Sequence, residues 1–97
     1  MERKDAESLG DLLRQAIEEN QAAFRFDEIN AINAWPAVVG RDVAAKTLRP
    51  YIKNGRMTIR VPAAPLRHEL NMMRSALARA INAEVGKDIV TELRFIG

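Results

Sequence analysis

Residues 48–61, Leu-Arg-Pro-Tyr-Ile-Lys-Asn-Gly-Arg-Met-Thr-Ile-Arg-Val, constrain the fold of this chain more than any other stretch. Asn54-Gly55 is the preferred dipeptide of a two-residue type I′ hairpin loop, in which both loop residues need positive φ. A loop there sets Ile52 against Met57, Pro50 against Ile59 and Leu48 against Val61, all on one apolar face. Lys53–Arg56, Tyr51–Thr58 and Arg49–Arg60 then share the opposite, polar face. A one-residue slip would mix the two faces, so the pattern specifies the register. Pro50 has no N–H, and in this register it lies at a non-hydrogen-bonded pair, which makes the first strand an edge. A third strand, expected over Ile89–Ile96, therefore lies beside the second, Arg56–Val61.

Helical patterns surround the hairpin. Leu9, Leu12, Leu13, Ala16 and Ile17 recur at i, i+3, i+4, i+7 and i+8, the stripe of an amphipathic helix. A second helix is expected from a cap at Asp27, with Ile29, Ile32 and Trp35 on one side and Trp35 anchoring the core against the first helix. Pro36 disfavours helical geometry at Trp35 and is expected to end or kink it; a short helical turn follows around Asp42–Lys46. Pro62 and Pro65 open the next helical segment. Its stripe is Leu66, Leu70, Met73, Leu77, Ile81 and Val85, its C-cap is Gly86, and it is one helix or two with a bend near Met73–Ser75. A strand–helix–strand connection of that length makes the second and third strands parallel. The expected fold is an α+β two-layer domain with a three-stranded mixed sheet packed on helices, in the order ααββα(α)β. Residues 8–97 are read as one domain and residues 1–7 as a flexible N-terminus.

Composition narrows function chiefly by exclusion. The 97 residues contain no cysteine, which removes disulfides, thiolate catalysis and zinc ribbons. Five glycines are scattered singly, so there is no phosphate loop. The lone His68, the Met72-Met73 pair, and Ser8 and Ser75 lie in no catalytic or metal-ligating pattern, so no enzyme activity, metal, cofactor or small-molecule substrate is expected. No apolar run approaches the ~20 residues of a membrane span, and Met1-Glu2-Arg3-Lys4-Asp5 opens no signal peptide. A cytoplasmic protein without membrane contact is expected.

The net charge of +2 hides an asymmetry. Residues 1–50 hold 7 basic and 9 acidic side chains, and residues 51–97 hold 8 and 4. The hairpin register gathers Arg49, Tyr51, Lys53, Arg56, Thr58 and Arg60 on one sheet face, joined by Glu92 and Arg94 if Leu93 and Phe95 point inward. Setting Lys53 opposite Arg56, and Arg49 opposite Arg60, costs roughly a few tenths of a kcal/mol per pair. A polyanion would turn that repulsion into attraction, and Tyr51 offers a base a stacking surface. The same cations also guard an edge strand against aggregation. Arg67 and Arg74, with Asn71, form a further basic line along the following helix, which is either an extension of the binding surface or a solvated face. Nucleic acid is thus one candidate partner, as DNA or RNA, and an acidic protein is the other.

Trp35-Pro36-Ala37-Val38-Val39-Gly40, the Asn54-Gly55 hairpin with Met57, Ile59 and Val61, Leu66-Arg67-His68-Glu69-Leu70, Ile81-Asn82, Gly86 and Leu93-Arg94-Phe95 together resemble the DciA-like family over roughly residues 9–96. The resemblance implies a KH-like fold of type II and a role in bacterial chromosome replication, with binding to DNA and to the replicative helicase whose loading it assists. The Gly-x-x-Gly loop with which KH domains clamp a nucleic-acid backbone has no counterpart here.

Overall fold

From Asp11 to Trp35 the chain holds neither glycine nor proline, and it is rich in the helix formers Leu, Ala, Glu, Gln and Arg. The structure, a computed structural model, describes the backbone of residues 2–97 and the side chains of residues 9–97. The flexible segment expected over residues 1–7 lies outside the residues so described.

A single helix, α1 (Glu2–Val39), replaces the two helices expected before the hairpin. Asp27 is no cap: it lies in the helix interior, and its Oδ2 receives Lys87 Nζ at 3.0 Å. With no breaker between the two apolar stripes, continuing the helix keeps the backbone groups around Asp27 paired, and the capping tendency of Asp27 is overridden. Pro36 does not end α1 either, because the helix runs on to Val39 and the Pro36 carbonyl accepts the Gly40 N–H at 2.8 Å. Gly40, at φ 90°, turns the chain into the short α2 (Arg41–Ala45).

The hairpin forms in the expected register. Strands β1 (Tyr51–Lys53) and β2 (Arg56–Arg60) are antiparallel, pairing Lys53 with Arg56, Ile52 with Met57 and Tyr51 with Thr58. Asn54 and Gly55 both have positive φ, 53° and 80°, as a type I′ loop requires. The ladder stops at Tyr51, however. The Leu48 N–H donates to the Arg60 carbonyl at 2.9 Å, so Arg49 does not pair with Arg60, and Leu48 is exposed instead of facing Val61. Pro50, buried just ahead of β1, has its nitrogen on the open side of the strand, as an edge position allows.

Two helices follow, α3 (Ala64–Met72) and α4 (Arg74–Val85), separated at Met73 and closed by Gly86 in the left-handed region. The break leaves Met73 exposed, against its expected place in the buried stripe, while Leu70, Leu77 and Ile81 are buried. Strand β3 (Glu92–Ile96) is shorter than the expected Ile89–Ile96. Asn82 explains why: its Nδ2 donates to the Val90 carbonyl at 2.8 Å, and its Oδ1 accepts the N–H groups of Ile89 and Val90 at 3.1 and 2.9 Å. With their backbone groups held by a side chain, these two residues lead into the sheet without joining it. β3 pairs with β2 in parallel, giving the order β1-β2-β3 with β1 at one edge.

Ile52, Met57, Ile59, Leu93 and Phe95 face the helices, where Ala31, Ala34 and Trp35 of α1 join Leu70, Leu77 and Ile81 in one core. Trp35 does not pack against a separate first helix, being part of the same helix. Its ring lies 5.9 Å from that of Phe95, and its Nε1 donates to Thr47 Oγ1 at 3.0 Å. The observed fold is α+β, with a three-stranded mixed sheet and four helices in the order ααββα(α)β. No helix among the described residues is long and apolar enough to cross a membrane.

Candidate nucleic-acid interface

Because the pleat alternates, the residues between the core positions line the uncovered face of the sheet. Two cross-strand rows result. Tyr51, Thr58 and Arg94 are register partners across the middle, and Lys53, Arg56 and Glu92 are partners at the hairpin end. Arg60 continues the β2 column beyond them. Thr58 is only 5% exposed although it faces away from the helices, so it forms the floor between its larger neighbours. Tyr51 stands beside it, 57% exposed. Together they shape an open concavity of about 380 Å³, walled by Tyr51, Lys53, Arg56, Glu92 and Arg94, with Asn54 and Thr91 at the hairpin rim.

The face carries four cations, Lys53, Arg56, Arg60 and Arg94, against the single acid Glu92, a net of +3. Glu92 is not free: its Oε2 lies 3.0 Å from Arg56 Nε, with both side chains about half exposed. A pair so open to water is worth ~0–1 kcal/mol, but it fixes the Arg56 guanidinium and offsets its repulsion from Lys53. Among the described residues Lys53, Arg60 and Arg94 have no ion-pair partner, and they share this face with the exposed ring of Tyr51. Hydrogen-bond donors beside an exposed phenol ring suit phosphates and a stacked base.

The structure brings five of the eight expected contact residues to this face: Tyr51, Lys53, Arg56, Arg60 and Arg94. Arg49 is elsewhere, in a groove with Trp35, Pro36, Leu48 and Pro50 between α1 and the approach to β1. Arg67, expected on the outer side of its helix, is half-buried, and its Nη1 donates to the Val61 carbonyl at 2.8 Å, closing the end of β2. Arg74 is exposed at the start of α4, in the helical layer on the other side of the sheet.

Sequence reasoning missed Thr91. Its N–H and Oγ1 both donate to the Gly55 carbonyl, at 2.8 and 3.1 Å, docking the hairpin loop onto the start of β3. A Cβ on Gly55 would lie 2.8 Å from Thr91 Oγ1. Nothing local to either residue signals that contact, which exists only once β3 has been threaded beside β2.

The family model described as "Dna[CI] antecedent, DciA" matches residues 8–95. A UPF0232 protein of Mycolicibacterium paratuberculosis is 27% identical over 94 residues, which cover 97% of this chain and 52% of the relative. A UPF0232 protein in the recF-gyrB intergenic region of Mycolicibacterium smegmatis is 28% identical over 94 residues, 97% of this chain and 48% of its own. A UPF0232 protein of Rhodococcus jostii is 26% identical over the same length, covering 50% of its own chain. The chain thus spans about half the length of the curated relatives it matches.

Proposed function

The chain belongs to the DciA family, and on that premise we propose that it is a non-enzymatic DNA-binding module with a KH-like fold that positions the replicative helicase during replication. The observation that carries the DNA-binding part is the outer sheet face, where Lys53 and Arg94 line one concavity with Tyr51 over the floor of Thr58, and Arg60 extends the β2 column beyond it. Lacking a Gly-x-x-Gly clamp, the chain holds a strand with side chains on the sheet instead of backbone amides. Phosphates lie against the three uncompensated cations while one base stacks on Tyr51, with Arg56 held in place by Glu92. The helicase part rests on the family alone.

Titration with matched single-stranded DNA and RNA oligonucleotides tests the DNA reading. DNA should bind, and Lys53→Ala with Arg94→Ala should weaken it by about tenfold or more at low salt. An unchanged affinity in that double variant would remove the sheet face from the account, and a preference for RNA would change the substrate. For the helicase, a pull-down before and after nuclease treatment is decisive, since association that survives nuclease is direct.

A further inference from the structure

Among the described residues Thr58 is the only polar or charged one that is buried, yet it faces away from the helices. Its register partners on either side are Tyr51 and Arg94, both far larger and both exposed. The Thr58 hydroxyl makes no hydrogen bond among the described residues, although none of their fully buried side-chain polar atoms lacks a partner. The little surface that Thr58 keeps therefore includes its hydroxyl, at the floor of the concavity. A strand spacing of ~4.8 Å roots Tyr51 and Arg94 ~10 Å apart, one on each side of Thr58. These three residues form a slot, with a small floor bearing a free hydroxyl between an aromatic wall and a guanidinium wall.

We propose that this slot takes one unpaired nucleobase, stacked between the ring of Tyr51 and the guanidinium plane of Arg94 with its edge turned to the Thr58 hydroxyl. The proposal rests on the reading of the sheet face as a DNA-binding surface, and it adds which part of the strand enters. A base covered on both faces needs ~7 Å between the covering planes, twice the ~3.4 Å rise of stacked bases. Side chains rooted ~10 Å apart reach that separation by leaning inward. The concavity of about 380 Å³ has the size of a small ligand pocket. Charge favours a base over a phosphate inside it. Glu92 also lines the concavity, and its carboxylate repels a phosphate while accepting from the N–H groups of a base edge. Phosphates are left to Lys53 at the rim and to Arg60 further along β2. Arg94 serves both groups, because a guanidinium stacks through its face and donates through its edge. A base within a duplex has neither face free, so the slot recognises a single strand.

Two single-stranded DNA oligonucleotides of about eight nucleotides, one normal and one carrying abasic sugars throughout, separate base from phosphate because their backbone charge is the same. In fluorescence anisotropy at one salt concentration the normal strand should bind at least about fivefold more tightly. Arg94→Lys keeps the charge and removes the plane, and should bring the two affinities closer by about fivefold. Thr58→Leu fills the floor and should do the same, its urea midpoint reporting whether the sheet is still folded. Arg94→Lys alters only an exposed side chain and carries the test if Thr58→Leu does not fold. Equal affinity of the unaltered chain for the two strands, or a ratio unchanged in Arg94→Lys, would overturn the slot and leave a sheet face that holds phosphates alone. Binding of neither strand would overturn the slot together with the DNA reading beneath it.

Discussion

Asn82 holds three backbone groups that neither helix nor strand reaches, and it decides where β3 begins. Removing its amide leaves the Val90 N–H and carbonyl without partners in a part-buried site, while the Ile89 N–H keeps the Lys87 carbonyl at 3.0 Å. Asn82→Ala should therefore cost about 2–3 kcal/mol, read as a lower urea midpoint with an unchanged slope. Tyr51 offers a contrasting prediction, because it is exposed and its hydroxyl makes no hydrogen bond among the described residues. Tyr51→Ala should leave the midpoint within about 0.5 kcal/mol while weakening single-stranded DNA binding by ~1–3 kcal/mol; Tyr51→Phe should retain binding. Individual residues of the site were partly legible in the sequence. Lys53, Arg56, Arg60 and Arg94 follow from alternation alone, since the pleat turns every other side chain of β1, β2 and β3 to the open face. Arg67 does not, because a helical wheel places it outward while a free carbonyl at Val61 draws it in.

At the level of elements, the hairpin was readable because its loop chemistry and its two faces agree on one register. The long α1 was not, because Asp27 and Pro36 are stop signals that lose to packing. Pro36 is exposed and deprives the Ile32 carbonyl of its helical donor, so Pro36→Ala should stabilise the protein by about 1–3 kcal/mol and raise the thermal midpoint. Gly55→Ala works against the fold twice, through a positive φ and through a Cβ placed 2.8 Å from Thr91 Oγ1. A loss of ~1–3 kcal/mol is expected, with the hairpin amides losing hydrogen-exchange protection first. The break at Met73 is the second of the two readings the sequence left open, with no glycine or proline there to decide between them. It is the bend that lets Leu70 on one side and Leu77 and Ile81 on the other reach one core.

Across the whole molecule, charge and apolar surface are segregated. The sheet exposes a face of net charge +3, and α1 exposes an apolar strip that begins where the domain ends. The charged face was visible as a run of cations between Lys46 and Arg79 with Glu69 as its only acid, although three of the expected contacts, Arg49, Arg67 and Arg74, were carried elsewhere by the fold. The apolar strip is indistinguishable from ordinary core in the sequence, because periodicity does not say what will cover a stripe. DNA binding through the sheet face is the central claim, and its most direct test is salt dependence. Log–log plots of affinity for single-stranded DNA against salt should have a slope of about −2 to −3, as three to four displaced counterions require. Arg60→Ala with Arg94→Ala should bring that slope at least one unit closer to zero. An identical slope and affinity in the double variant would contradict the account.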